Sequence, residues 1–190
     1  CAEPLRGKKG AHYEGGMRVP FIAAWAKPDA DNPNQKRLPI AAGAIQSQIA
    51  SVCDLLPTIA AVTGVDAPPD YPVDGRRLET LLAGQSDASR ERTFLMHYPH
   101  GPHRSNYFTT FRDGDWKVIY HYIPEKNSQQ SHFQLYNLAD DPFESKDLAA
   151  SHPEQVRRMM QGLIASLERQ NAVYPVEAES SNTPLKPQLP

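Results

Sequence analysis

Asp113-Gly114 constrains this chain more than any other pair, because an Asp-Gly step between two strand-like runs closes a two-residue β-hairpin. The run 107–112 leads into it and 115–122 leads out. Thr93–Tyr98 supplies a strand upstream, and 133–138 supplies a fourth after a polar loop. From Ser151 the period changes. Ser151-x-x-Glu154 reads as a capping box opening a helix, and Val156, Met159, Met160, Leu163, Ile164 and Leu167 recur along it at helical spacing. Such a stripe belongs to a core rather than to a ligand. Trp116 and Tyr120, on one face of the hairpin, read as core in the same way, and Asp113 and Asp115 as turn formers. The expectation for this part is α+β: a small four-stranded antiparallel sheet packed on a long C-terminal helix.

Residues 1–90 read differently. The apolar run 21–25 predicts a buried strand, the Pro-rich segment 27–39 a loop, and the alternating 45–49 another strand. Asp54 is placed to cap a helix carrying Leu55, Leu56, Ile59, Ala60 and Val62, with Pro57 in its first turn and Gly64 at its end. This piece reads as the last strands and helix of a larger α/β sheet, exposing faces meant for the remainder, through which self-association is expected. The expected organisation is 1–90 as the end of a larger domain, 91–175 as a small subdomain and 176–190 as an irregular tail.

Bulk properties exclude several classes of function. A formal charge of -2 gives no support for nucleic-acid or membrane binding. No apolar run approaches the ~18 residues of a membrane span. The two cysteines establish neither a disulfide nor a four-ligand zinc site.

The chemistry concentrates near the start. Residues 5–22 place Arg6, Lys8, Lys9 and Arg18 among Gly7, Gly10, Gly15 and Gly16, with Glu14 between. Glycines let a backbone approach a ligand, and lysine is a point charge suited to an oxyanion. An anion site and a solvated basic loop both fit this spacing. No Walker-type order follows.

The string Lys9-Gly10-x-x-Tyr13-Glu14-Gly15-Gly16-x-Arg18-x-Pro20, followed by Phe21-Ile22-Ala23-Ala24-Trp25, resembles the second signature of the type I sulfatases, relatives of alkaline phosphatase. Further blocks resemble that family in order: Asp54-Leu55-Leu56-Pro57-Thr58, Asp74-Gly75-Arg76, His97-Tyr98-Pro99-His100, Arg112-Asp113-Gly114-Asp115-Trp116-Lys117, and Leu135-Tyr136-Asn137-Leu138-x-x-Asp141-Pro142-x-Glu144. The likeness covers about residues 5 to 170. It implies the carboxy-terminal third of a sulfatase, an enzyme that hydrolyses aryl sulfates or sulfated carbohydrates to alcohol and sulfate. The family's nucleophile is a formylglycine made from Cys-x-Pro-Ser-Arg or Ser-x-Pro-x-Arg; Cys1 and Cys53 stand in neither context. Its Ca2+ or Mg2+ ligands lie upstream of the lysine, so the resemblance implies that the parent enzyme carries metal and formylglycine, that residues of this chain bind neither, and that the chain alone is inactive.

By the motif match Lys9 is the catalytic lysine that contacts the sulfate, with Lys8 as competitor, while Glu14 and Arg18 shape the loop. His12, close after the lysine, is a substrate-binding candidate or a surface histidine. His97 and His100, grouped with His103 around a stiff Pro99-to-Pro102 loop, are candidates for the substrate rim or for hydrogen-bonded strand ends. Relatives are often periplasmic or secreted. The alternatives are a phosphatase or phosphonate hydrolase of the same superfamily, separable by the upstream nucleophile motif, and a noncatalytic module that binds sulfated sugar through the histidine loop.

Overall fold

The computed structural model describes residues 3–65, 70–100, 106–124, 131–176 and 182–190. In chain order the elements are α1 (Glu14–Met17), α2 (Pro33–Arg37), a 3-10 turn (Val52–Asp54), α3 (Leu55–Thr63), α4 (Glu79–Leu82), β1 (Thr93–Tyr98), β2 (Phe108–Asp113), β3 (Trp116–His121), β4 (Phe133–Asn137), a 3-10 turn (Ala149–Ser151) and α5 (Pro153–Arg169). The chain divides into two compact units, Cys1–Val19 with Arg92–Pro190, and Pro20–Glu91.

The first unit is built on an antiparallel meander in the order β1-β2-β3-β4. Asp113 pairs with Trp116, leaving Gly114 and Asp115 as the two-residue loop. Gly114 has φ 60° at the first loop position, where a type II′ turn requires it. Because side chains alternate across a strand, the sheet buries both faces. Phe111, Val118, Tyr120 and Leu135 face α5, meeting Val156, Met159, Met160, Leu163 and Leu167. Phe108, Ile119 and Tyr136 form the second core with Leu138, Tyr13, Met96 and Tyr98. Lys117 and His121, two residues either side of Ile119, share that second face, which is covered by the amino-terminal loop.

Where α5 crosses β2, Gly162 carries the approach: a Cβ there would lie 2.6 Å from Phe111 Cε1. Gly162→Val is expected to cost about 1–3 kcal/mol by overpacking. A urea-unfolding midpoint unchanged from the parent's would contradict this contact.

The start of α5 differs from expectation. Pro153 occupies its first turn, His152 precedes it, and no side chain caps it. Ser151 belongs to the preceding 3-10 turn, and its hydroxyl donates to Leu148 O (3.1 Å) and meets His152 Nδ1 (2.9 Å). With His152 at the cap position, Ser151 stands one residue outside the helix and its hydroxyl is already engaged, so the Ser151–Glu154 box does not form.

In the second unit, 21–25 and 45–49 pair with no other segment among the described residues and are not strands. A strand exists only through a ladder partner. Without one, Ile22 is 92% and Ile45 98% exposed. Helix α3 forms as expected and ends at Gly64 in the left-handed conformation, but Asp54 does not cap it. Ser51 caps the 3-10 turn instead, in a box with Asp54. The buried Asp54 carboxylate accepts from the N–H groups of Ser51 (2.9 Å) and Arg76 (2.7 Å) and from the Arg90 guanidinium. Two sequence blocks, the one at Asp54 and the one at Asp74-Gly75-Arg76, thus meet at one carboxylate.

Candidate functional site

The amino-terminal loop presents Lys9 at the corner of a tight turn. Ala11 N–H donates to Lys8 O (2.9 Å), which makes Lys8 to Ala11 a four-residue turn with Lys9 second. Gly10, third, has φ 87°, the left-handed conformation that the third residue of a type II turn adopts. Lys8 and Lys9 are both exposed. Gly15 N–H donates to Arg6 O (2.8 Å), folding α1 back onto the loop. The Arg6 guanidinium lies 3.8 Å from the centre of the Tyr13 ring.

Behind this loop is a buried cluster of charge. Lys117, 1% exposed, donates from Nζ to Glu14 Oε1 (2.9 Å) and to Glu144 Oε1 (2.8 Å). Glu144 is fully buried, and its other oxygen accepts the Glu14 backbone N–H at 2.6 Å. Arg18 donates to Glu14 Oε2, and the Arg112 guanidinium stands 3.9 Å from the same oxygen. Burial pushes the Glu14 carboxyl up, but Lys117 and Arg18 together outweigh it and hold it below the usual range. At Glu144 burial prevails over Lys117 and raises it. Glu144 also has φ 53°, an uncommon conformation for a residue with a side chain.

Three of the sequence blocks therefore converge here: Glu14 from the lysine loop, Lys117 from the strand after the hairpin, and Glu144 from the Asp-Pro-x-Glu turn. The sequence reading assigned no role to Lys117 or Glu144. A lysine alternating with Trp116 and Val118, on the face shared with Ile119, was the available signal for the first. Nothing local signals the second, since its partners Lys117, Glu14 and Arg6 all come from other segments of the chain.

His12 is buried against the rings of Tyr13, Phe108 and His121. Burial first, then the neighbouring His121, Lys117 and Arg6, lowers it to about 3, so it is neutral at physiological pH. His121 Nε2 lies 2.9 Å from Gln134 Oε1. His97 is engaged on both ring nitrogens, Nδ1 with Thr109 Oγ1 and Nε2 with Val173 O, each at 2.7 Å, and burial lowers its pKa. His100 is exposed at the end of β1, with its ring 5.2 Å from that of Tyr98. His103 and Cys1 lie outside the described residues; Cys53 is a free, exposed thiol. The structure thus gathers Lys9, His12, Glu14 and Arg18 in one loop and places His97 in the sheet.

Among the described residues no group of three or more His, Cys, Asp or Glu side chains is arranged to hold a metal ion. Glu14 and Glu144, the buried carboxylates nearest the loop, are already bonded to Lys117. The described residues therefore do not fit a divalent-cation site.

A glycine turn carrying two exposed lysines, set over buried carboxylates on an α+β scaffold, is what the loop amounts to. Residues 8–172 match the family model described as N-sulphoglucosamine sulphohydrolase, C-terminal, and the chain belongs to this sulfatase family. It is 31% identical over 191 residues to human arylsulfatase A, covering 88% of this chain and 34% of that protein. It is 30% identical over 162 residues to the N-acetylgalactosamine-6-O-sulfatase of Bacteroides thetaiotaomicron, covering 81% of this chain and 28% of that one. Among solved structures, Ps i-CgsB in complex with k-i-k-neocarrahexaose superposes with a TM-score of 0.61 at 24% identity, over 88% of this chain and 32% of that one. The chain therefore spans about a third or less of these relatives.

Proposed function

We propose that this chain is the carboxy-terminal part of a sulfatase that hydrolyses sulfate esters to alcohol and sulfate, with Lys9 gripping the sulfate. The observation that carries this reading is the turn from Lys8 to Ala11, which sets the exposed Lys9 at its corner on a base fixed by buried charges. As the ester bond breaks, negative charge grows on the nonbridging and leaving oxygens. An ammonium already in place stabilises that charge without reorganising. The names of the relatives cover aryl sulfates and a 6-O-sulfated amino sugar, and both classes belong to the proposal. His12, His97 and His100 enter it as candidates for shaping the substrate side.

The nucleophile and metal chemistry belong to the whole enzyme, for which formylglycine and Ca2+ or Mg2+ are proposed. Residues 1–90 would complete its catalytic domain, 91–175 form the small subdomain and 176–190 the tail. The remainder would cover Ile22, Ile45, Leu56 and Ile59, all exposed here, and its absence would favour self-association. No helix among the described residues is long and apolar enough to cross a membrane; a secreted or periplasmic location is part of the proposal.

The test is Lys9→Ala in the whole enzyme, assayed on an aryl sulfate, a sulfated amino sugar and the matching phosphate esters. Loss of kcat/KM by about 10²–10³ on a sulfate ester is expected. Unchanged sulfate turnover, or turnover of the phosphate esters alone, would contradict the reading.

A further inference from the structure

Both ends of the lysine loop are fastened to one residue. On the entering side, Arg6 Nη1 donates to the backbone carbonyl of Glu144 at 2.7 Å. On the leaving side, the Glu14 N–H donates to the Glu144 carboxylate at 2.6 Å. Lys9 lies between, and the loop is closed across its base by the bond from Gly15 N–H to Arg6 O. Gly16 touches the turn itself, since a Cβ there would lie 2.7 Å from Lys8 O. The left-handed backbone of Glu144, φ 53°, belongs to the residue that presents both carbonyl and carboxylate to the loop. Lys117 holds the carboxylate from the sheet side at 2.8 Å. Conformations of this kind persist only where surroundings over-determine them, and here three partners do so.

We infer that Glu144 is a positioning residue for Lys9, acting through the two ends of the loop rather than by touching substrate. This rests on the proposed role of Lys9. Loss of an ordinary buried ion-pair partner lowers the fraction of folded enzyme whatever stands at position 9. A positioning residue matters only while Lys9 is there to be positioned.

The experiment is a double-mutant cycle in the whole enzyme, reading kcat and KM per folded active enzyme for a sulfate ester. Glu144→Gln keeps an acceptor for the Glu14 N–H but removes the charge held by Lys117. It is expected to lower kcat/KM by about 10- to 100-fold, as displacement of a reacting group by around 1 Å does. In the Lys9→Ala background the same substitution is expected to change it by less than about twofold, because residues acting as a unit are not additive. Equal fold-losses in both backgrounds, or no loss in either, would overturn the inference. Should Glu144→Gln not fold, Arg6→Ala, which removes the exposed pin, decides by the same comparison. An inert Lys9→Ala would refute the functional reading itself, whereas a damaging Lys9→Ala with additive Glu144→Gln would refute only the positioning role.

Discussion

Lys117→Met is expected to destabilise the first unit by about 3–5 kcal/mol, the cost of removing one partner from a buried ion pair. The ammonium is the shared donor to Glu14 and Glu144, and both carboxylates are almost without solvent. Without it the Glu144 carboxylate loses its cation while buried beside Glu14, which keeps Arg18 and the more distant Arg112. If the loss comes from stranded charge rather than lost packing, adding Glu14→Gln and Glu144→Gln should return much of it, because the charges that remain, Arg18 and Arg112, keep contact with solvent. Unfolding midpoints of the single and triple variants measure both. A single variant within about 1 kcal/mol of the parent would contradict the buried cluster, since surface ion pairs are worth no more than that.

Acid should weaken the same region, with His12 as a large contributor. Its folded pKa is lowered from 6.5 to about 3, with burial the first cause. Above pH 6.5 the imidazole is neutral folded or unfolded, and its contribution is complete. Below that, the unfolded chain takes up a proton that the folded protein refuses, so stability falls with pH until about pH 3. At about 1.4 kcal/mol per pH unit the whole window corresponds to about 5 kcal/mol. Glu14, also lowered, works in the same direction once pH drops below the ordinary glutamate range. Glu144, raised, works against it. Stability measured from pH 7 to pH 4 should fall less steeply in His12→Gln than in the parent. Equal slopes would mean that His12 is not buried in its neutral form.

The small sheet and its helix were legible because their signals are local. Alternation marked the four strands to within a residue or two, Asp113-Gly114 marked the hairpin, and the stripe from Val156 to Leu167 marked the face of α5 that packs on Phe111 and Leu135. Two capping assignments failed for a common physical reason. Ser151 and Asp54 are each taken by other partners, Leu148 O and His152 in one case and the Ser51, Arg76 and Arg90 donors in the other. Strand composition at 21–25 and 45–49 promised ladders that need a neighbour, which the described residues do not supply.

In the candidate site, Lys9, Glu14 and Arg18 were readable from one contiguous motif. Lys117 and Glu144 were not, although both stood inside blocks already noted for their resemblance to sulfatases. Residue type argued against burial, since Lys and Glu are almost never fully buried unless paired. Only the tertiary pairing reveals why a lysine follows Trp116 and why a glutamate ends Asp141-Pro142-Phe143-Glu144.

The most direct test of the central claim, that Lys9 rather than Lys8 meets the sulfate, is amine-selective modification of the whole enzyme read by mass spectrometry, with and without saturating inorganic sulfate. Both lysines are exposed on the same turn, so each serves as the other's control. Bound sulfate should slow modification of Lys9 several-fold and leave Lys8 unchanged. Equal modification of Lys9 in the presence of bound sulfate, or protection of Lys8 in its place, would contradict the account.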